Sequence, residues 1–302
     1  MSTLGIQGLP SGADDAHRLA ARLGVPAGEI TIHRFPDAEL RVTVAPPTPV
    51  TVIYASLDRP NDKLVALLLA AEGLRRNGAK RLILLAPYLC YMRQDAAFHA
   101  REAVSQKVVG RLLAEIFDRI ITVDAHLHRT PDIHDVFPSI EADNLSATPA
   151  MAEALRAAGL DPRTVVVGPD AESQPWVSKL AGELEIAFAV AQKTRRGDRS
   201  VEVALPDSTI VAGRPVLLVD DIVSLIACAR SLLAAGARSV DAVITHALFP
   251  ADATTEFVRA GIRSVRSTTS VPHPTNAIPL DGLLADALRM ELGTARAAEK
   301  AS

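Results

Sequence analysis

Apolar residues are distributed along the chain in two patterns that alternate with one another. Short runs rich in valine, isoleucine and leucine predict strands, and longer stretches rich in alanine and leucine carry apolar residues at helical spacing. The predicted strands are residues 30–35, 40–44, 50–57, 81–86, 120–124, 164–168, 187–191, 201–205, 216–220 and 242–247. The predicted helices are residues 13–23, 62–77, 105–116, 148–158, 174–184, 225–235 and 254–260. Strands that alternate with helices are typical of α/β proteins, so the sequence predicts an α/β fold.

Several predicted strands are apolar without interruption. Residues 82–85, for example, are Leu, Ile, Leu and Leu. Because a strand covered on both faces shows no polar alternation, such runs predict mainly parallel sheets with helices on both sides. The segments 119–124 and 215–220 are similar apolar strands that each end in an aspartate. We therefore predict two similarly wound domains, residues 1–147 and 148–302, with one large sheet as the alternative.

Composition and charge narrow the classes of function. The chain has 302 residues, about the length of two domains, and its formal net charge is −3. This near-balance argues against a strongly basic nucleic-acid binder. No signal peptide is recognisable, and the longest apolar stretches are far too short to cross a bilayer, so we expect no membrane partner. Two cysteines are too few for a disulfide scaffold and favour a reduced, cytoplasmic setting.

Polar residues follow several predicted strands, at the edge where open α/β sheets bind their ligands. In a polar hairpin, Phe35 can stack on a planar ring, and Asp37 and Glu39 can accept hydrogen bonds from an amine or from hydroxyls. An ordinary solvated turn is the alternative. Further along the chain, Arg93 and Arg101 could clamp a polyphosphate through bidentate contacts, with a surface ion-pair cluster as the alternative.

Carboxylates and imidazoles stand at the ends of two further strands. Asp124, His126 and His128 are spaced at every second position, which places them on one side of an extended segment and suits a divalent cation. Asp220 and Asp221 end an apolar strand, and adjacent like charges repel unless a cation or sugar hydroxyls occupy the site. Capping of the following helix would explain only one of these two acids.

One basic segment and one further acid remain. Lys193, Arg195, Arg196 and Arg199 lie between two predicted strands, where they could fold over phosphates during transfer; a solvated basic loop is the alternative. Asp170 follows another strand and could hold a metal ion. Neither a Walker loop nor a dinucleotide-binding glycine motif occurs in the sequence.

Taken in order, these segments resemble the motifs of phosphoribosyl pyrophosphate synthetases, which are ribose-phosphate pyrophosphokinases. In the first half of the chain, residues 34–39 resemble the adenine-side loop of that family, and residues 91–95 resemble its Tyr-x-Arg-Gln-Asp ATP motif. Residues 101–107 resemble its Arg-Glu-Pro-Ile-Ser-x-Lys segment, and residues 123–126 resemble its metal-binding Val-Asp-x-His. In the second half, residues 168–171 resemble its Pro-Asp-x-Gly stretch, and residues 193–195 resemble its catalytic flexible loop. Six motifs in the right order are far more specific than any one of them, and they cover nearly the whole chain.

The resemblance implies a fold, a reaction and a set of roles. It implies two tandem phosphoribosyltransferase-type, Rossmann-like domains in a homo-oligomer built from dimers, up to a hexamer. It also implies Mg²⁺-dependent transfer of the pyrophosphoryl group of ATP to the 1-hydroxyl of ribose 5-phosphate, with release of AMP. The implied roles are ATP binding by Phe35, Asp37, Glu39, Arg93, Gln94 and Asp95, catalysis by Lys193 and Arg195, ribose 5-phosphate binding by Arg195, Asp220, Asp221 and Ser224, and metal binding by Asp124, His126 and Asp170.

The sequence departs from the family pattern after Ser224. The family continues there with Thr-Gly-Gly-Thr or a close variant, a loop whose backbone N–H groups cradle the sugar 5-phosphate. Here Ser224 runs directly into the helical stretch that starts at Leu225. Three alternatives therefore stand: the synthetase itself, a catalytically impaired regulatory or binding homologue, and a phosphotransfer enzyme whose substrate lacks a 5-phosphate.

Overall fold

The computed structural model describes residues 3–196, 200–220 and 225–299. Within these ranges, every helix is too short or too polar to cross a bilayer. In the first half of the chain the elements are β1 (Leu4–Gly8), α1 (Ala13–Leu23), β2 (Ala27–Glu29), β3 (Thr31–Arg34), β4 (Leu40–Thr43), β5 (Val50–Tyr54), α2 (Pro60–Arg76), β6 (Arg81–Ala86), α3 (Ser105–Ala114), β7 (Arg119–Val123) and β8 (Glu141–Leu145). The second half contains α4 (Thr148–Ala157), β9 (Val165–Gly168), α5 (Gln174–Leu184), β10 (Phe188–Val190), β11 (Gln192–Arg196), β12 (Ser200–Ala204), β13 (Pro215–Asp220), α6 (Leu225–Ala234), β14 (Ser239–Ile244), α7 (Thr254–Arg259), β15 (Ile262–Thr268), β16 (Asn276–Ile278) and α8 (Asp281–Glu299).

The chain divides into two units. We call Met1–Leu145 together with Asp281–Ser302 the first unit, and Ser146–Leu280 the second unit. The expected second domain ran from residue 148 to residue 302, whereas the segment from Asp281 onwards belongs to the first unit. The expected position of the first boundary, at residue 147, lies two residues from the observed one.

The first unit is built on a six-stranded parallel sheet in the order β2-β1-β5-β6-β7-β8. Every residue of β7 is buried, as are the last five of β6, because helices cover both faces of the sheet. The chain adds β2 on one side of β1 and β5 on the other, so the winding direction reverses between β1 and β5. Strands β3 and β4 form a separate antiparallel hairpin.

The second unit repeats this plan with the strand order β10-β9-β13-β14-β15-β16, again fully parallel. The winding direction reverses between β9 and β13, and this reversal is the point at which open α/β sheets bind ligands. Strands β11 and β12 form a separate antiparallel hairpin. The predicted α/β class with mainly parallel sheets is confirmed.

Each sheet has its own apolar core. In the first unit, Leu67 and Leu74 of α2 are fully buried in one cluster with Leu84 of β6. In the second unit, Leu232 of α6 is buried in one cluster with Leu218 of β13. Burial of one such leucine stabilises the fold by roughly 1.5–3 kcal/mol relative to an exposed leucine.

The C-terminal helix α8 is attached to the first unit by ion pairs. Asp281, at its start, accepts a hydrogen bond from Arg22 of α1 at 3.0 Å. Glu291, whose side chain is 8% exposed, accepts hydrogen bonds from Arg81 at 3.0 Å and from Arg119 at 3.0 Å. Both arginines are the first residues of their strands, β6 and β7, so α8 contacts the amino-terminal edge of the first sheet.

Candidate active site

The β3–β4 hairpin presents one aromatic ring and two carboxylates on a tight turn. The Phe35 N–H donates to the Glu39 carbonyl at 2.9 Å, and Ala38 takes a left-handed conformation with φ 72° to close the turn. Asp37 accepts a hydrogen bond from the backbone N–H of Glu39 at 3.2 Å. The Phe35 ring is 38% exposed and contacts the ring of His33 edge-on at a centroid distance of 4.8 Å. The three residues predicted to bind adenine are therefore together on one exposed turn.

The segment that follows β6 carries the second group of predicted ATP residues. Tyr91 has a left-handed backbone with φ 61°, and its hydroxyl donates to Asn61 at 2.5 Å. Arg93 is exposed. The side-chain oxygen of Gln94 accepts a hydrogen bond at 2.6 Å from Ser105, the first residue of α3. The start of α3 thus fixes Gln94, while the adjacent Arg93 points to solvent.

Asp95 is engaged by a residue that the sequence analysis did not single out. Its carboxylate accepts hydrogen bonds from the backbone N–H of Arg129 at 2.9 Å and from the guanidinium of Arg129 at 2.7 Å. Burial raises the pKa of Asp95, but the hydrogen bonds from Arg129 outweigh burial and hold the pKa below its ordinary value. The guanidinium also lies 5.2 Å from the ring centre of Phe98. Asp95 therefore links the segment after β6 to the segment after β7.

The segment after β7 does not adopt the extended conformation on which the metal prediction relied. Asp124 is 7% exposed and has a left-handed backbone with φ 39°, which turns the chain immediately after the strand. The Nε2 atoms of His126 and His128 contact one another, with ring centres 4.0 Å apart. Among the residues that the structure describes, no three His, Cys, Asp or Glu side chains form a group that could hold a metal ion. The structure therefore brings the two histidines together but does not assemble the expected set of three with Asp124.

In the second unit, Asp170 and Asp220 flank the point at which the winding direction reverses. Asp170 follows β9, and its carboxylate accepts a hydrogen bond from the backbone N–H of Glu172 at 3.2 Å. A Cβ atom on Gly168 would collide with Ser173, so only glycine allows the chain to turn so closely after β9. Asp220 is the last residue of β13.

The remaining predicted residues are only partly described. Lys193 and Arg195 belong to β11, where they pair in register with Val203 and Val201 of β12. This basic segment was predicted to lie on a hairpin between two strands, and Lys193 and Arg195 belong to one arm of such a hairpin. Their side chains, together with Asp221 and Ser224, lie outside the described part of the chain.

A buried polar network at the carboxyl ends of β14 and β15 was also missed. His246 is 1% exposed, and its Nδ1 contacts the Ser270 hydroxyl at 2.8 Å. That hydroxyl donates to the carbonyl of Thr245 at 2.7 Å. The only sequence signal for this network is a threonine and a histidine inside the predicted strand 242–247, which is too weak to separate a functional site from a packed strand end.

Comparison with known proteins gives matches to both halves of the chain. Residues 7–116 match the family described as the N-terminal domain of ribose phosphate pyrophosphokinase, and residues 145–281 match the phosphoribosyl transferase domain. A ribose-phosphate pyrophosphokinase of Methanopyrus kandleri is 32% identical over 277 residues, which are 90% of this chain and 94% of that protein. Ribose-phosphate pyrophosphokinase 2 of Archaeoglobus fulgidus is 33% identical over 281 residues, covering 92% of this chain and 97% of that protein. The crystal structure of phosphoribosylpyrophosphate synthetase from Mycobacterium smegmatis superposes with a TM-score of 0.82 at 25% identity, covering 97% of this chain and 99% of that one.

Proposed function

This chain belongs to the ribose-phosphate pyrophosphokinase family, and we propose that it transfers the pyrophosphoryl group of ATP to the 1-hydroxyl of ribose 5-phosphate. The products are phosphoribosyl pyrophosphate and AMP. The observation that carries the proposal is the match of both units to this family, at 32% identity over 90% of the chain. A single matching domain would support only a nucleotide-binding or sugar-binding fold.

In the first unit, the described contacts support a nucleotide site with three parts. The Phe35 ring would stack on adenine, and the carboxylates of Asp37 and Glu39 would accept hydrogen bonds from the exocyclic amine or the ribose hydroxyls. The exposed guanidinium of Arg93 would contact the polyphosphate. Because Arg129 engages both oxygens of the Asp95 carboxylate, we assign Asp95 to positioning rather than to direct contact with ATP.

In the second unit, Asp220 and Asp221 would accept hydrogen bonds from the 2- and 3-hydroxyls of ribose 5-phosphate, and Ser224 would contact its phosphate. The 1-hydroxyl oxygen attacks the β-phosphorus of ATP and forms a new P–O bond. The bond from that phosphorus to the oxygen shared with the α-phosphorus breaks, AMP leaves with the electron pair, and the hydroxyl proton is released to solvent. Lys193 and Arg195 would neutralise the charge that develops on the transferred group.

The donor groups fit Mg²⁺ when the ion enters with ATP. Mg²⁺ prefers oxygen donors, and in phosphate-transfer sites it is commonly held by one or two carboxylates and by the substrate phosphates. The carboxylate of Asp170 meets that requirement in the second unit, and Asp124 and His126 are the candidate donors in the first. A bound Mg²⁺ would neutralise the polyphosphate and make the β-phosphorus a better electrophile.

We also propose that the protein is a homo-oligomer in the cytoplasm. Val65, Leu68 and Leu69 of α2 are 47%, 38% and 41% exposed, so this helix is apolar on a face that the first unit does not cover. A second copy of the chain would bury that face, and sedimentation analysis would distinguish dimers and hexamers from a monomer. The thiols of Cys90 and Cys228 are buried and unbonded, which fits a reducing compartment.

The test is release of AMP by the purified chain when it is given ATP, ribose 5-phosphate and Mg²⁺. We expect AMP and phosphoribosyl pyrophosphate in equal amounts, and we expect Lys193→Ala to abolish both while the fold is retained. A parallel variant carries Thr-Gly-Gly-Thr inserted after Ser224. If only the insertion variant turns over, the chain is the catalytically impaired homologue. If free ribose reacts and ribose 5-phosphate does not, the substrate assignment is wrong.

A further inference from the structure

A cavity in the second unit lies on the face of the sheet, away from the carboxyl edge that carries Asp170 and Asp220. It has a volume of about 270 Å³ and is bounded by the C-terminal end of α4, the connection from α4 to β9, and strands β13, β14 and β15. Cavities for drug-sized ligands are typically about 300–1,000 Å³, so this one suits a smaller molecule. None of the proposed catalytic residues lines it.

Arginines give this cavity its charge. The guanidinium groups of Arg238, Arg263 and Arg266 line it together with the carboxylates of Asp161 and Asp241, which leaves an excess of one positive charge. The whole chain has the opposite sign, with a formal net charge of −3. The cavity is therefore a local positive site on an acidic protein.

Both carboxylates are already neutralised by arginine. Asp241 accepts hydrogen bonds from Arg263 through both of its oxygens, one of them at 3.0 Å, and from the Ser264 hydroxyl at 2.7 Å. Asp161 pairs with Arg163 at 3.0 Å and with Arg238 at 3.2 Å. Neither acid is left to neutralise a further cation in the cavity.

Arg266 is the arginine lining the cavity that takes part in none of these ion pairs. It is half-buried on β15, in register with Val243 of β14, and its side chain makes no ion pair or hydrogen bond to any other described residue. The register between the two strands shifts between Val240 and Ala242, so that β15 carries one extra residue there. This bulge lets Arg263 and Ser264 both reach Asp241. The five N–H donors of the half-buried Arg266 guanidinium therefore face the cavity without a described protein acceptor and are available to an anion.

We propose that this cavity binds a phosphate group, either as inorganic phosphate or as a small phosphomonoester, with Arg266 as the principal contact. The planar guanidinium matches two phosphate oxygens in a bidentate contact, which a lysine cannot do. Arg238 and Arg263 also line the cavity, each paired with a carboxylate, so the excess positive charge of the cavity is that of Arg266. This site is independent of the reaction proposed above, because its residues take no part in that reaction.

A tungstate soak of crystals of the unmodified protein locates the site directly, because tungstate mimics phosphate and gives a strong anomalous signal. We expect a peak within hydrogen-bond distance of the Arg266 guanidinium. The absence of a peak there, with peaks only near the carboxyl edges of the sheets, overturns the proposal whatever the variants show.

Titration calorimetry measures affinity with inorganic phosphate and, separately, with phenyl phosphate. The protein is first saturated with ribose 5-phosphate and a non-hydrolysable ATP analogue, so that the substrate sites are filled. We expect Arg266→Gln to weaken binding about tenfold or more, and Arg266→Lys to weaken it less. Tighter binding of phenyl phosphate would identify a phosphomonoester as the ligand, and tighter binding of phosphate the free ion.

The matched control is Arg259→Gln. Arg259 is an exposed arginine at the end of α7 in the same unit, and it does not line the cavity. The control removes the same charge from the same unit, so we expect it to leave the affinity within twofold of the unmodified protein. If Arg259→Gln and Arg266→Gln weakened phosphate binding equally, the effect would come from net charge alone, and the proposed binding site would be wrong.

Discussion

Replacement of Glu291 with glutamine is expected to loosen helix α8 from the first unit. The Glu291 side chain is 8% exposed, and its carboxylate accepts hydrogen bonds from Arg81 at 3.0 and 3.2 Å and from Arg119 at 3.0 Å. Arg119 is itself 9% exposed. Glutamine has nearly the same shape, so the substitution removes the charge without leaving a cavity.

The expected loss of stability depends on the ion pairs that Arg81 and Arg119 retain in the variant. Loss of one partner from a buried ion pair costs about 3–5 kcal/mol. Arg81 retains Glu141 at 2.8 Å and Arg119 retains Asp143 at 2.7 Å, so we expect the lower end, about 3 kcal/mol. Burial lowers the pKa of the Arg81 guanidinium, but its hydrogen bonds to Glu291 and Glu141 outweigh burial and hold that pKa above its ordinary value. Because an arginine side chain is not deprotonated in proteins, the variant leaves two guanidinium groups with one carboxylate fewer.

Hydrogen exchange monitored by mass spectrometry on the α8 peptide measures this loosening. Since 1.36 kcal/mol corresponds to a factor of ten, α8 amides are expected to exchange about 100-fold faster in Glu291→Gln. Asp286→Asn is the matched control on the same helix, because Asp286 pairs with Arg289 on the surface, where the side chains are 66% and 73% exposed. That pair contributes about 0–1 kcal/mol, so its loss changes exchange little. Equal exchange rates in the two variants would refute the argument.

Three further predictions follow from individual side chains. Asp95→Asn is expected to raise the KM for ATP about tenfold, with a smaller change in kcat, because it replaces a charge-assisted hydrogen bond from Arg129. Burial lowers the pKa of His273 below its ordinary value of 6.5, so the unfolded chain takes up a proton at a higher pH than the folded chain does. The free energy of unfolding is therefore expected to fall as the pH is lowered through 6.5. Denaturant titrations of His273→Gln are expected to show a smaller loss of stability over the same pH range. Burial raises the pKa of Cys90 and of Cys228 to about 12, so iodoacetamide at pH 8 is expected to alkylate neither thiol in the native chain and both after denaturation, as measured by intact mass.

Each of these predictions has an outcome that contradicts it. For Asp95, the control is Asp132→Asn, because Asp132 is an exposed acid after β7 whose partner is His134; a similar rise in KM in both variants would remove the positioning role. For His273, an unchanged pH dependence in the glutamine variant would assign the loss of stability to another group. Rapid alkylation of the native protein would show that the thiols are more accessible than the structure describes.

The sequence predicted the regular elements where one physical pattern determined them. Residues 13–23 and 174–184 were predicted as helices and are α1 and α5, and 81–86 was predicted as a strand and is β6. These segments have apolar residues at a clear period, and their ends are set by glycine or by a change of pattern. Local information was enough for such segments because the same residues that favour the element also bury one or both of its faces.

Elements whose positions depend on a distant partner were missed. Strand β8 is largely polar, and it pairs only with β7 at the edge of the first sheet, so no run of apolar residues marks it. Helix α8 belongs to the first unit through Glu291, and no local pattern shows that its partners are 172 and 210 residues away. Such contacts are properties of the tertiary structure.

Predictions about the geometry of the candidate site also succeeded where local sequence was sufficient and failed where a distant contact was needed. The hairpin residues Phe35, Asp37 and Glu39 were identified from their types and are together on one turn. The metal-binding role of Asp124 and His126 stays a prediction, and only the extended conformation expected after β7 is wrong, because Asp124 takes a left-handed conformation there. Arg129 was missed because an arginine beside two histidines gives no sign that its acceptor is Asp95, 34 residues earlier.

Attachment of α8 to the first unit has a consequence for biosynthesis. Residues 146–280 are contiguous, whereas the first unit is assembled from segments on either side of them. As the nascent chain leaves the ribosome from its N-terminus, every residue of the second unit emerges before α8 does. The second unit can therefore fold during translation, before Glu291 is available to pair with Arg81 and Arg119. A chaperone would therefore be of most use to this protein before α8 emerges, while the first unit lacks its ion pairs to Glu291.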